Sequence, residues 1–300
     1  MSPAVARFAA LEEMLENRRL QVEAALRELQ PPRGRSETVE AAAAYSLFAP
    51  AKRLRPVLSL LVAELLRADV RGVLPAACAV EMVHTASLIL DDLPSMDDAA
   101  ARRGRPACHV VHGEATAILA AFALLNRAYE VLAQGWSGGP DAEARAALAR
   151  QLSSAVGLDG MIAGQARDLE LTDQPLDFHT LEFIHSRKTG ALFMASAAVG
   201  AAHARATGPE RAAVTSYAKN VGLAFQIVDD LIDATGAAME AGKDVGQDLK
   251  KTTFVSFSGV EGAQVLAREL IAASQQALAG FGSRANPLRD LAEYVVARRR

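Results

Sequence analysis

Two short segments concentrate carboxylates: Asp91-Asp92-Leu-Pro-Ser-Met-Asp97 and Asp229-Asp230-Leu-Ile-Asp233. Carboxylates crowded together repel one another unless they share a hard cation. Mg²⁺ suits that role, because it is held by a few carboxylates and completes its shell with water and substrate phosphate. Asp229 and Asp233 are four residues apart, which puts them on one helix face with Asp230 beside it. Gln226 precedes them by one turn, so its amide should reach the same space. In the first segment Pro94 should end the helix and let Asp97 fold back toward Asp91 from a loop. His84 lies two turns before Asp91 on the same face. Solvated helix ends also favour aspartate. Here, however, each segment follows an apolar run, Thr-Ala-Ser-Leu-Ile-Leu or Leu-Ala-Phe-Gln-Ile-Val, and the pairing favours a metal cradle.

Cations are interleaved with these acids. Lys52, Arg53 and Arg55 cluster before Pro56, Arg102 and Arg103 follow the first acidic segment, Lys188-Thr189-Gly190 is expected within a helix, and Lys243, Lys250 and Lys251 follow the second. Arginine and lysine are the natural partners of phosphate oxygens. Two metal cradles among such cations read as sites for two diphosphates, one bound through metal and one held directly by cations.

The elements that must position these groups are helical. Apolar residues recur with helical period almost throughout, and alternating strand-like runs are nearly absent. Helices are expected over 4–29, 39–48, 56–67, 76–92, 114–134, 142–170, 180–203, 209–235 and 262–279, with a short one near the C-terminus. Pro56 should open its helix, where no amide donor is needed. Gly104, Pro106, His109 and His112 read as a polar loop. The composition on either side of the Trp-Ser-Gly-Gly-Pro-Asp turn is the same, so residues 1–300 read as one all-α domain.

Bulk properties narrow the function. The chain has 300 residues, 51% hydrophobic and 5% aromatic, and a net charge of −3, which removes the basic excess of a nucleic-acid binder. Cys78 and Cys108 have neither pairing nor metal spacing and read as core thiols in a reducing compartment. His109, His112, His179, His185 and His203 show no metal spacing and read as loop or packing residues. The N-terminal residues place acids where a secretory signal would be apolar. The longest apolar stretch, near 191–202, falls short of a membrane span. A cytoplasmic protein without a span is expected.

The motifs KRLRP, LILDDLPSMDD with RRGRP, GQARDLE, KTGALF, FQIVDDLID and GKDVGQDLKKTTF stand in order over residues 51–254. This set resembles the trans-isoprenyl diphosphate synthases, and most of all the bacterial geranylgeranyl diphosphate synthases of carotenoid pathways. The resemblance implies an isoprenoid synthase fold, a single bundle of about ten or more helices around a central cavity, assembled as a homodimer. It implies Mg²⁺, three ions being expected, with Asp91, Asp97 and Asp229 as ligands and Asp92, Asp230 and Asp233 in support. Lys52, Arg55, His84 and Arg103 resemble the isopentenyl diphosphate site. Arg102, Lys188, Lys243 and Lys251 resemble contacts to the allylic diphosphate, and Lys188, Thr189 and Gln226 resemble the residues lining the reaction centre. The implied reaction condenses isopentenyl diphosphate with an allylic diphosphate through an allylic cation, and in that family the departing diphosphate takes the final proton.

Product length should depend on the residues one turn before Asp91, roughly 6–7 Å deeper at 1.5 Å per residue. Ala86 and Ser87 stand there, with Met82 and Val83 below. Farnesyl synthases resembling this chain tend to carry an aromatic where Ala86 stands, so a C20 product is expected. The alternatives are a C15 farnesyl diphosphate synthase, a metal-dependent class I terpene cyclase and a non-catalytic synthase subunit. A cyclase has no need of the Lys52, Arg55 and Arg103 set, and an inactive subunit would be expected to lose acidic ligands. The chain departs from the family pattern at Ala51, Leu90 and Ala99 to Ala101, none of them a proposed ligand. Arg298, Arg299 and Arg300 fit a solvated tail better than a cover over substrate.

Overall fold

The computed structural model describes residues 3–30, 34, 36–172, 174–240 and 252–297. Thirteen α-helices stand among these residues, and the strands among them are two-residue pieces. The order is α1 (Pro3–Glu28), α2 (Glu37–Leu47), α3 (Leu54–Leu65), α4 (Val70–Asp91), a hairpin of β1 (Ala101–Arg102) and β2 (Arg105–Pro106), and α5 (Cys108–His112). Then come α6 (Glu114–Gln134), α7 (Ala142–Val156), α8 (Met161–Glu170), α9 (Phe178–His185), a π-helical turn at Ser186–Gly190 and α10 (Ala191–His203). The chain closes with α11 (Gly208–Glu240), α12 (Phe254–Ala277), a 3₁₀ segment at Ala279–Ala285 and α13 (Asn286–Ala297). The all-α expectation holds.

Local chemistry sets the boundaries. Asp69 caps α4 by accepting from the Arg71 amide at 3.2 Å, so this helix starts well before the expected position and carries Pro75 inside it. Pro56 is the third residue of α3 and not the first; amides throughout a first turn lack intrahelical partners, so proline fits there too. The helix expected over 142–170 is two helices, because the chain leaves α7 at Gly157 and starts again at Met161. Glycine is the poorest helix former after proline. The 180–203 helix is interrupted by the π turn. The polar loop expected around Gly104 holds the hairpin and α5. Thr253 and Ser256 form a capping box that starts α12 earlier than the period alone indicated.

Three apolar clusters make the interior. The largest surrounds α4, packing Val80, Met82, Val83 and Ala86 with Ala117, Ala120, Ala121 and Leu124 of α6. The second joins α3, α10, α11 and α13, and the third joins α9, α11 and α12. Both cysteines are buried and free. Two helices, α4 and α6, are long and apolar enough to cross a membrane by length and composition, which corrects the expectation that no stretch reaches that length. α4 spends its apolar surface inside the bundle, with 67% of its most apolar window buried.

α3 and α10 cross at a glycine. A Cβ on Gly200 would stand 2.5 Å from the Ser59 carbonyl oxygen and 2.8 Å from Val62 Cβ, while Ser59 Oγ donates to the Ser196 carbonyl at 2.8 Å. Backbone that close leaves no room for a methyl. Gly200→Ala is expected to destabilise the protein by about 1–3 kcal/mol, as over-packing of a core does, and to lower the thermal midpoint in an unfolding scan.

Candidate active site

The first acidic segment closes as expected. α4 ends at Asp91, and the Asp97 amide donates back to the Asp91 carbonyl at 2.9 Å, with Ala99 N donating to Asp92 O at 3.2 Å. The loop therefore folds over the helix end. Asp92, just past the end of α4, is buried and accepts from Nε of Arg102 in β1 at 2.8 Å. It holds an arginine rather than facing open space. Arg103 takes a left-handed conformation, φ 55°, beside Gly104 at the hairpin turn, and such turns require positive φ.

The second segment lies on α11. Asp230 is buried and accepts from Gln226 Nε2 at 3.0 Å and from the Phe254 amide at 3.0 Å. Gln226 Oε1 in turn accepts from Thr189 Oγ1 at 3.0 Å. Asp229 is half-buried, and Asp233 is exposed.

The π turn links the two segments. Lys188 pairs with Asp168 of α8 at 2.8 Å, and its charge also acts on Asp91. Thr189, one residue on, reaches Gln226 on α11. A π turn inserts a residue into the helical register, and here consecutive side chains serve opposite walls. The backbone of α8 approaches closely: a Cβ on Gly164 would stand 2.4 Å from the Lys188 nitrogen, so only glycine lets Asp168 come this near.

The KRLRP cations divide. Lys52 is exposed, whereas Arg53 turns inward and is 2% exposed. Arg55 donates from Nη1 to His84 Nε2 at 3.0 Å and lies over the Phe193 ring, 4.9 Å from its centroid. Since a guanidinium only donates, His84 Nε2 must accept, and the imidazole is neutral. Burial first, then Arg55, pushes His84 well below its ordinary pKa. Burial also lowers Arg55 to about 10 against the opposing pull of Glu81, and Asp229 acts on Arg55 as well. Arg55 Nε is buried without a partner. Such a donor is unfinished until an acceptor arrives.

Among the described residues no three His, Cys, Asp or Glu side chains form a ready-made metal shell. The acidic residues nonetheless fit a hard cation. Burial raises Asp91 to about 6, with Asp97 and Asp92 adding to the rise, and burial raises Asp230 to about 6, with Asp229 and Asp233 adding to it. Oxygen donors crowded and desolvated in this way gain most from a divalent ion that brings its own waters or a phosphate.

The structure thus gathers Asp91, Asp97, Asp229, Arg55, His84, Arg102, Arg103, Lys188, Thr189 and Gln226 at one end of the bundle. Lys243, Lys251 and Arg298 to Arg300 lie outside the described residues. Ala86 is buried on α4 and Ser87, half-buried, donates to the His84 carbonyl at 2.9 Å. Asp168, Glu81 and Phe193 carry parts of the site that were given no role from sequence. Asp168 lies within GQARDLE, and Glu81 stands one turn before His84 in an otherwise apolar run; that spacing was the available signal. His185 behaves as the packing residue expected, stacked 5.2 Å from the Phe254 ring.

Residues 36–277 match the family model described as Polyprenyl synthetase. A dimethylallyltranstransferase from Fischerella ambigua is 42% identical over 291 residues, covering 96% of this chain and 84% of that protein. The chloroplastic geranylgeranyl pyrophosphate synthase of Capsicum annuum is 42% identical over 258 residues, covering 85% and 70%. Among solved structures, an apo FPP/GFPP synthase from Zymomonas mobilis superposes with a TM-score of 0.85 at 35% identity, covering 96% of this chain and 99% of that one. A geranyltransferase from Legionella pneumophila gives 0.87 at 31% identity, covering 97% and 98%.

The raised Asp91 makes a stability prediction. Its folded pKa lies above the unfolded value of 3.8, so ionising it opposes folding at neutral pH, and that penalty fades as pH falls from 6 toward 4. With divalent ions chelated, Asp91→Asn should stabilise the protein at pH 7.5 by on the order of 1 kcal/mol. The gain should vanish near pH 4. Thermal melts at the two pH values check it, and an equal shift at both would contradict it.

Proposed function

The chain belongs to the polyprenyl synthetase family, and on that premise we propose that it is a Mg²⁺-dependent trans-prenyltransferase that extends allylic diphosphates with isopentenyl diphosphate to geranylgeranyl diphosphate. We read residues 1–300 as one polyprenyl synthetase domain. The observation that supports this reading is the meeting of acids and cations: Asp91 lies beside Asp97, Lys188 and Arg102, and Asp229 acts on Arg55, which donates to the neutral His84 and neighbours Arg103.

Each group then has a task. Asp91, Asp97 and Asp229 would hold Mg²⁺, with three ions expected, and Asp92 and Asp230 brace Arg102 and Gln226. When bound, Mg²⁺ supplies Lewis acidity toward the oxygens of the allylic diphosphate. Lys188 and Arg102 add fixed positive charge for the departing diphosphate, together with Lys243 and Lys251. Arg55, its Nε still unpaired, binds isopentenyl diphosphate beside Lys52, Arg103 and the neutral His84. Thr189 Oγ and the Gln226 amide present dipoles to the allylic cation. The apolar walls keep out water, which would otherwise quench that cation. No side-chain base is needed if the released diphosphate accepts the proton.

Ala86 supports the C20 assignment. A methyl group there would block a growing tail less than an aromatic would, and Met82 and Val83 of the same apolar cluster would form the deeper floor. We read the chain as a cytoplasmic homodimer serving carotenoid synthesis. Two unpaired buried cysteines fit a reducing compartment. Leu119 and Phe122 of α6, 55% and 60% exposed beside Val110 and Val111 of α5, make an apolar face suited to a second copy. Such a dimer would cover the span-length helix α6.

Incubation with Mg²⁺, labelled isopentenyl diphosphate and each allylic primer should give geranylgeranyl diphosphate. A run that stops at farnesyl diphosphate contradicts the C20 assignment, and primer consumed without isopentenyl diphosphate indicates a cyclase. Ala86→Tyr should shorten the product to C15; an unchanged product would remove α4 as the floor of the cavity.

A further inference from the structure

We propose that Arg53 is a positioning residue for isopentenyl diphosphate: held between Glu23 and Glu81, it fixes the chain at the start of α3 so that Lys52 and Arg55 can both serve that substrate. The proposal rests on the two-diphosphate reading above and assigns a role to the one cation of the KRLRP motif that the reading leaves idle.

The side chain of Arg53 has no exposed surface. Its guanidinium donates from Nε to Glu23 of α1 at 2.8 Å and from Nη1 to Glu81 of α4 at 2.7 Å. Nη2 donates to the carbonyl of Leu47, and to that of Ala49 at 3.4 Å. One side chain therefore ties α1, α4 and the α2–α3 connection to the first residue before α3. At that residue the backbone is left-handed, φ 51° and ψ 36°. An L-residue other than glycine, Asn or Asp seldom adopts this conformation, and it persists only where the surroundings over-determine it. The buried guanidinium and its four acceptors supply that determination.

The turn has a directional consequence. With Arg53 driven into the core, Lys52 is left exposed on one side of it. Arg55, two residues on in the first turn of α3, meets His84 and Phe193. If Arg53 relaxed to an ordinary helical or extended conformation, Lys52 would leave its place relative to Arg55. The charge balance serves the same site. Two carboxylates face one guanidinium, so the triad carries a net negative charge behind the substrate cations, and Glu81 acts attractively on both Arg55 and Arg103. That attraction offsets part of the cost of burying these two arginines while no diphosphate is bound.

A merely structural ion pair would behave differently. Buried ion pairs often add little to stability, and apolar residues of similar volume can replace them without loss of the fold. Arg53→Lys, Glu81→Gln and the double variant Arg53→Met with Glu81→Met should therefore be compared with wild type by thermal melting and steady-state kinetics, with Lys52→Ala as a control. The expected result is a rise in KM for isopentenyl diphosphate of roughly tenfold or more in all three, the scale of a lost charged hydrogen bond. KM for the allylic primer and kcat at saturation should change by less than about twofold, and the double variant should melt near wild type. An unchanged KM for isopentenyl diphosphate in the double variant overturns the proposal, and so does a parallel rise for both substrates. If Lys52→Ala itself leaves that KM unchanged, the two-diphosphate reading falls instead.

Discussion

Charge removed from water is the constraint around which this molecule is arranged. Isolated buried charge is costly, and a buried arginine cannot discard its proton to escape the cost. Three cations here, the buried Arg53 and the partly buried Arg102 and Lys188, therefore meet carboxylates that offset that cost. Arg53 has Glu23 and Glu81, Arg102 has Asp92, and Lys188 has Asp168. Arg55 is the exception in kind, since its partners are a neutral imidazole and an aromatic face. That arrangement leaves its positive charge available to a ligand. The acids show the complementary pattern: Asp92 and Asp230 are satisfied by the protein, whereas Asp91 stays desolvated beside other carboxylates. Unmet demand on both sides is what a metal-diphosphate and a second diphosphate would satisfy.

The helices exist to bring these groups together without exposing backbone. α4 runs through the largest apolar cluster and delivers Glu81, His84 one turn on, and Asp91 two turns further. Its length fixes how far the acids stand from the floor of the apolar cluster. α11 delivers Gln226, Asp229 and Asp230 in the same way. Between them, the π turn at Ser186–Gly190 lets neighbouring side chains serve different walls, Lys188 toward α8 and Thr189 toward α11. A regular helix would carry consecutive residues around by a fixed angle of about 100°. The close approach of α8 at Gly164 completes this junction.

Much of this was legible in the sequence, for identifiable reasons. Helical period exposed the all-α class, and Pro94 announced both the end of α4 and the return of Asp97, which the amide of Asp97 bonded to Asp91 O bears out. The four-residue spacing of Gln226 and Asp230 correctly put them in reach of each other. What stayed hidden depended on long-range contact. KRLRP gave roles to Lys52 and Arg55 but none to Arg53, because only the positions of Glu23 and Glu81 on other helices turn Arg53 inward. Asp168 looks like any helix-surface acid until α8 is packed on the π turn. Helix starts at Asp69 and Thr253 were missed because a capping side chain weighs less in a periodicity reading than the apolar run it precedes. The break at Gly157 was missed because alanine-rich sequence surrounds it.

The central claim is that two diphosphates bind side by side by different means, one through metal and one through the protein's own cations. Calorimetric titration of the purified protein with isopentenyl diphosphate and, separately, with a non-hydrolysable allylic diphosphate analogue, each with and without Mg²⁺, tests it directly. The account predicts that the allylic analogue binds only when Mg²⁺ is present, while isopentenyl diphosphate binds in both conditions. Equal dependence of the two ligands on Mg²⁺ would contradict it.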